Sequence, residues 1–261
     1  MRDHDPDTTL DARSLQGKSS FSVATIVEAV EKTLSGQWDV PEFQREFIWK
    51  PAQVCGLADS LWRHYPVGSI LLWQTENNCR REAPLWIADG QQRLTALCLL
   101  FGVAPYWFSR RPEEFCARIQ QQFDIRYDIA ATDGPRFVAM HESRKGESDR
   151  RRLIPTSRLL AIDPESRGGR NEMEGLVREL KDAGYCRELD AADLYRRMHR
   201  VTMIRQREVA LTQVNHPHRD DILEIFMRLN SRGMRYRRLL LKLLIEEIPA
   251  AIRGIRGRCQ P

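Results

Sequence analysis

The chain has 261 residues, of which 42% are hydrophobic and 30% charged, a composition that excludes disorder as its main state. The net charge of +5 is unevenly placed, because nine basic and only two acidic residues follow Met227. The apolar runs are shorter than the roughly 18 to 20 residues of a membrane span and the start lacks a signal-peptide core, so we expect a cytoplasmic protein without a membrane partner.

The first predicted elements are helices separated by an extended segment. Residues 1–20 are polar and aperiodic, which favours a flexible leader. Apolar residues at helical spacing predict a helix over 23–34, and Pro51 opens a second helix. The segment 38–49 between them is aromatic and contains a proline, which favours an extended chain.

A strand, a turn and a helix follow one another in the next part of the chain. Residues 69–73 and 85–88 are short apolar runs typical of buried strands, and a helix is predicted to begin directly after Gly90. We expect the two strands to be adjacent in one small sheet. The predicted fold class is therefore α/β, in the sense of α+β, with a small sheet surrounded by helices over about residues 21–235.

The remaining pattern predicts further elements of both kinds. These are a strand over 123–129, exposed loops over 134–150 and 166–170, helices over 171–181 and 191–205, a strand over 209–214, and helices over 222–229 and 236–248. We treat 236–261 as a basic, amphipathic C-terminal helix and tail.

The turn Asp89-Gly90-Gln91-Gln92-Arg93 is the strongest candidate for chemistry. Free backbone N–H groups and the positive end of a helix favour an anion at such a turn, and Gly90 allows a close approach. Arg93 offers a fork for phosphate, Gln91 and Gln92 can orient a ligand or a water, and Asp89 can bind a metal ion or act as a base. The alternative is a simple helix start in which Asp89 is the N-cap and Arg93 is solvated.

Two more segments carry polar residues among apolar ones. Gln44 and Arg45 lie in the aromatic extended segment, where a packed strand with a solvated Arg45 is the alternative. Arg228 and Asn230 lie at the end of a predicted helix, where Asn230 can simply cap the helix.

The basic C-terminal segment has two interpretations. Its arginines precede an apolar helix face at 240–248, which can pack on the body of the protein and leave the charges in water. Alternatively the segment lies along DNA phosphates, which position a protein without reading sequence. The candidate DNA-binding residues are Arg232, Arg235, Arg237 and Arg238.

Four short motifs occur in a fixed order along the chain. They are PxFQRxFxW at 41–49, YPVGSILLW at 65–73, DGQQRLT at 89–95 and IFxRLNSRG at 225–233. This arrangement resembles the N-terminal domain of GmrSD-type restriction endonucleases over about residues 22–235. The resemblance implies a ParB/sulfiredoxin-like sheet core and a place in restriction or phage defence.

The resemblance also implies a ligand, a nucleoside triphosphate held with Mg²⁺ at the DGQQR turn. Its nucleotide-binding residues are then Gln44, Arg45, Gly90, Arg93, Arg228 and Asn230. Its catalytic candidates are Asp89, Gln91 and Gln92, with Asp89 also the metal ligand. Whether the nucleotide is hydrolysed stays open, as do the alternatives of a non-enzymatic DNA-binding or regulatory module and of an inactive, truncated remnant.

The implied partners are DNA and an HNH nuclease domain or subunit, and a homo-oligomer is left open. We expect no DNA cleavage by this chain alone, because complete systems carry an HNH domain whose ligands hold the metal ion that activates water. The sequence also departs from the family pattern after Gly233, where it reads MRYRRLLLK.

Overall fold

The computed structural model describes residues 18–41, 46–74, 84–132, 135–142, 152–184 and 186–215. A five-stranded sheet organises them, with the strand order β1-β8-β3-β4-β2. Strand β3 lies at its centre, parallel to β8 and antiparallel to β4. The strands are β1 (Lys18–Thr25), β2 (Trp38–Asp39), β3 (Ser69–Gln74), β4 (Leu85–Asp89) and β8 (Glu208–Asn215).

A smaller antiparallel sheet has the order β6-β5-β7. Its strands are β5 (Ile125–Asp128), β6 (Phe137–Ala139) and β7 (Leu153–Pro155). The described residues also form seven α-helices: α1 (Ile26–Leu34), α2 (Pro51–Trp62), α3 (Gln91–Leu100), α4 (Glu113–Gln122), α5 (Thr156–Ala161), α6 (Arg167–Asp182) and α7 (Ala191–Thr202).

Helices cover one face of the five-stranded sheet. Ile70, Leu72 and Ile87 point to this face and are completely or almost completely buried, as are Leu94 and Leu97 of α3. Alternate residues of a strand face opposite sides of its sheet, so their neighbours Leu71 and Trp73 lie on the other face, in a second apolar cluster with Val214, Trp86 and Ala88. The sheet is therefore apolar on both faces.

The structure confirms the mixed α/β class and the central prediction of two adjacent strands. Strands β3 and β4 pair over Leu71–Trp73, and α3 begins after Gly90. The prediction for the N-terminus is wrong in two details. Residues 18–25 form a strand, where a leader to residue 20 and a helix from residue 23 were expected, because Thr25 and Glu28 form a capping box that starts α1 at Ile26.

Two predicted loops are also wrong in part. Within 134–150, Phe137 and Ala139 are buried in strand β6, which pairs with β5. The segment 166–170 begins α6, because the hydroxyl of Ser166 accepts a hydrogen bond from the Gly169 amide and caps the helix.

Several predictions lie outside the described residues. These are the leader over 1–17 and the helices over 222–229 and 236–248, with the C-terminal segment 236–261. None of the described helices has the length and apolar content that a membrane crossing would require.

Two glycines of α6 give a matched test of its packing. A Cβ at Gly169 would lie 1.8 Å from the carbonyl oxygen of Asp163, whereas a Cβ at Gly175 would meet no atom within 4 Å. We expect Gly169→Ala to lower the free energy of unfolding by about 1–3 kcal/mol or more. Gly175→Ala should raise it by about 0.5–1 kcal/mol, since alanine restricts the unfolded chain.

Urea denaturation of both variants measures these changes. If the slope of unfolding free energy against urea concentration is the same in both variants and the parent, differences in the urea midpoint report stability alone. A destabilised Gly175→Ala or an unchanged Gly169→Ala would contradict the packing of this helix.

Candidate functional site

The DGQQR turn connects the end of β4 directly to the start of α3. Asp89 is the last residue of the strand, Gly90 has a left-handed φ of 100°, and the helix begins at Gln91. A Cβ at Gly90 would lie 3.1 Å from Cγ1 of Ile70 and 3.4 Å from its Cα. Glycine is therefore required here both by the backbone conformation and by the neighbouring strand.

The helix start leaves backbone donors free. The amide of Leu94 bonds to the carbonyl oxygen of Gly90 at 2.9 Å, which closes the first helical turn. Gly90 has no side chain to cap the helix, and within the described residues no acceptor bonds to the amides of Gln91, Gln92 or Arg93. Three N–H groups at the positive helix end are available to an anion.

Arg93 is held beside this turn by two acceptors. Its Nη2 donates to Oδ2 of Asp89 at 3.2 Å, and its Nη1 donates to the carbonyl oxygen of Val67 at 3.1 Å. The alternative with Asp89 as N-cap and a solvated Arg93 is wrong, because Gly90 occupies the cap position and the Arg93 side chain is only 20% exposed. An arginine has five N–H donors, so three remain for a ligand.

The loop before β3 is shaped around the Arg93 guanidinium. Gly68 has a φ of 84°, and a Cβ there would lie 2.6 Å from Nη1 of Arg93. Any side chain at this position would therefore displace the guanidinium as well as strain the backbone. Gly68 and Val67 belong to the site, although the sequence indicated them only as part of a motif.

Gln92 fixes a third segment against the helix. Its Oε1 accepts from the amide of Ile48 and its Nε2 donates to the carbonyl oxygen of Glu46, both at 2.9 Å. The side chain is buried, so the two bonds replace bonds to water. This pair of bonds tethers the 46–48 segment to α3.

Gln91 and Thr95 lie one turn apart on the same face of α3, and both are buried. Among the described residues, Oγ1 of Thr95 has no hydrogen-bond partner, and none bonds to the side-chain amide of Gln91. Hydrogen-bonding capacity thus remains along this face. Sequence reasoning missed Thr95, although its place four residues after Gln91 was a usable signal.

The described residues therefore bring Asp89, Gly90, Gln91, Gln92 and Arg93 together. The other candidates lie outside the described residues: Gln44, Arg45, Arg228, Asn230, Arg232, Arg235, Arg237 and Arg238. No spatial arrangement is assigned to them.

The turn can hold Mg²⁺ only in a coordination that takes a single carboxylate from the protein. The described part of the chain holds no group of three His, Cys, Asp or Glu side chains that could bind a metal ion. Asp89 is 37% exposed, and one of its oxygens is bonded to Arg93. Mg²⁺ is commonly held by one or two carboxylates together with water and substrate phosphates, so Asp89 can serve as that ligand.

The fold and the turn define a mixed α/β domain with a candidate anion site between a strand and a helix. The profile of the GmrSD restriction endonuclease N-terminal domain matches residues 25–238, most of the chain. The chain belongs to this family, as its motifs indicated, and membership indicates a role in a restriction or phage-defence system. None of the curated proteins compared with the chain matches it significantly.

The two glutamines of the turn can be tested against each other. We expect Gln92→Met to remove both bonds to the 46–48 segment and to lower the free energy of unfolding by about 1–3 kcal/mol, the net value of two hydrogen bonds. Hydrogen exchange at the Ile48 amide should accelerate, because that residue is 58% exposed and its amide loses its acceptor.

Gln91→Met is the matched control, because it makes the same change one residue earlier in the helix. It should leave exchange at Ile48 unchanged. Equal acceleration in both variants would show that Gln92 does not hold the segment.

Proposed function

We propose that this domain binds the phosphates of a nucleoside triphosphate, together with Mg²⁺, at the turn formed by Asp89 to Arg93. The proposal rests on two neighbouring features. Three backbone N–H groups at the start of α3 bond to no described acceptor, and the guanidinium of Arg93 beside them is already oriented by two hydrogen bonds. Oriented donors cost little reorganisation when an anion binds, so they favour affinity. The resemblance of the sequence at the DGQQR motif implies the same ligand, and we propose that the five-stranded sheet and its helices form a ParB-like core.

Each residue of the turn has a proposed part in binding. Gly90 lets the chain pass from β4 into α3 within one residue, which presents the first helix amides to the phosphates, and the remaining donors of Arg93 bond to the phosphate oxygens. Gln92 acts at a distance by positioning the 46–48 segment. Gln44, Arg45, Arg228 and Asn230 complete the proposed binding set.

Hydrolysis of the nucleotide is the proposed activity. Mg²⁺ on Asp89 would neutralise charge that develops on the phosphates. Asp89 is the carboxylate that we propose as the base where it does not hold the metal ion, and the side-chain amide of Gln91, to which no described residue bonds, is proposed to orient a water. Gln92 stays a candidate catalytic residue, although its amide oxygen and nitrogen each bond to the backbone at Ile48 and Glu46.

DNA is the proposed macromolecular partner, and an HNH nuclease domain or subunit is the proposed source of cleavage. A restriction function needs both recognition of DNA and a metal site that activates water. We propose that nucleotide state at the turn regulates such a partner.

Arg93→Ala tests nucleotide binding. We expect the variant to bind ATP, GTP or CTP about 1.5–3 kcal/mol more weakly than the parent, the loss typical of a hydrogen bond to a charged group. Arg63→Ala is the control, because Arg63 also pairs with an aspartate four residues earlier, Asp59, at 2.6 Å. Isothermal calorimetry with and without Mg²⁺ gives the affinities.

Asp89→Asn separates binding from turnover. The substitution keeps the shape of the side chain, so we expect a folded protein whose Mg²⁺-dependent phosphate release is reduced. Parent-like binding in Arg93→Ala together with parent-like turnover in Asp89→Asn would overturn the proposed site. Binding without turnover in the parent would leave a nucleotide sensor in place of an enzyme.

The proposed interaction with DNA predicts a particular salt dependence. Replacing Arg232, Arg235, Arg237 and Arg238 with glutamine should reduce the slope of log affinity against log salt by about 0.9 for each phosphate that is no longer neutralised. Fluorescence anisotropy with duplex DNA between roughly 50 and 200 mM salt measures the slope. An unchanged slope would show that these arginines remain in solvent.

A further inference from the structure

Basic side chains gather around Trp62 at the end of α2, and none of them belongs to the DGQQR turn. The guanidinium carbon of Arg136 lies 4.2 Å from the centre of the Trp62 ring, and that of Arg200 lies 3.5 Å from it. Nη2 of Arg207 contacts Nε2 of His64, two residues after the tryptophan. We call these five residues the Trp62 cluster.

The cluster has no acidic counterpart among the described residues. Arg136, Arg200 and Arg207 form no ion pair there. Two arginines nearby in sequence do: Arg63 pairs with Asp59, and Arg196, one turn before Arg200 on α7, pairs with Asp193. The cluster thus differs from these two neighbouring arginines, each of which has a carboxylate partner.

The like charges affect one another. Reduced hydration beside its neighbours, followed by the charges of Arg207 and Arg200, lowers the pKa of His64. Burial and the charge of Arg200 lower the pKa of Arg207. The fold thus holds Arg200 close enough to Arg207 and His64 to disfavour positive charge on both, a cost that a bound anion would offset.

Stacking on Trp62 accounts for only part of the arrangement. A cation above an indole ring is stabilised through the face of the guanidinium, so its in-plane N–H groups remain available. Nε of Arg207 is buried and bonds to no residue in the described part of the chain. The cluster therefore offers donors in excess of acceptors, and its His64 and Arg200 are exposed to solvent.

We propose that the Trp62 cluster binds a phosphate group. A phosphate presents three or four acceptor oxygens and more negative charge than a carboxylate, so it suits several guanidinium forks better. Stacking on Trp62 orients two of these forks before the ligand arrives. The phosphate can belong to a nucleotide or to a nucleic-acid backbone, and the site shares no residue with the turn at 89–93.

Thermal denaturation with inorganic pyrophosphate tests this site. A ligand that binds only the folded state raises the melting temperature by linkage. We expect pyrophosphate to raise the melting temperature of the full chain more than sodium chloride does at the same ionic strength. In Arg200→Gln the apparent dissociation constant should increase about tenfold, the equivalent of about 1.4 kcal/mol.

The control is Arg196→Gln, which removes the same charge from the same helix but from an arginine that is already paired. It should keep the pyrophosphate effect. Arg200→Lys should be intermediate, because it keeps the charge and loses the planar fork. Arg93→Ala should keep the part of the effect that Arg200→Gln removes, which separates this site from the proposed nucleotide site.

Each other outcome overturns the proposal. One is a pyrophosphate effect no larger than that of chloride, and another is an equal loss in Arg196→Gln and Arg200→Gln. A third is an effect that disappears in Arg93→Ala and persists in Arg200→Gln, which would assign pyrophosphate to the DGQQR turn. If the effect behaves as expected, competition with ATP and with duplex DNA identifies the source of the phosphate.

Discussion

The close approach of Gly90 to Ile70 is the constraint on which the candidate site depends. Strand β3 passes so close to the turn that a Cβ at Gly90 would lie 3.1 Å from the Ile70 side chain. The chain can therefore change from strand to helix within one residue, with a left-handed glycine in place of a side-chain cap. The same close packing that orders the core thus leaves the first backbone amides of α3 available to a ligand at the C-terminal end of β4.

The side chains of Gln92 and Arg93, which follow Gly90, hold two neighbouring segments by hydrogen bonds. Arg93 bonds to the carbonyl of Val67 in the loop before β3, and Gln92 bonds to the backbone on both sides of Phe47. One helical turn therefore sets the positions of two loops that are distant in sequence. A change in the conformation of either loop will therefore shift Gln92 or Arg93 at the turn, because each hydrogen bond constrains both of its partners.

The sequence predicted the elements whose patterns are local. Strands β3 and β4 are short apolar runs with a glycine or proline nearby, and both form as expected. Strand β1 was missed because Val23, on its exposed side, by chance extends the helical spacing of α1. Hydrogen bonds such as that of Gln92 to Ile48, and the stacking of Arg200 on Trp62, could not be predicted because they join residues with no shared pattern.

The position of β8 has a consequence for how the chain reaches its native state. This strand lies between β1 and β3, so Lys18 pairs with Asn215 and Ser69 with Ala210. Pairings between such distant residues have a high contact order and form slowly. At about 5–20 residues per second of translation, β1 leaves the ribosome on the order of 10 to 40 s before its partner. During synthesis Phe21 and Leu71 therefore lack their partners on β8, which leaves one side of each strand open to pairing with other chains until β8 has been made.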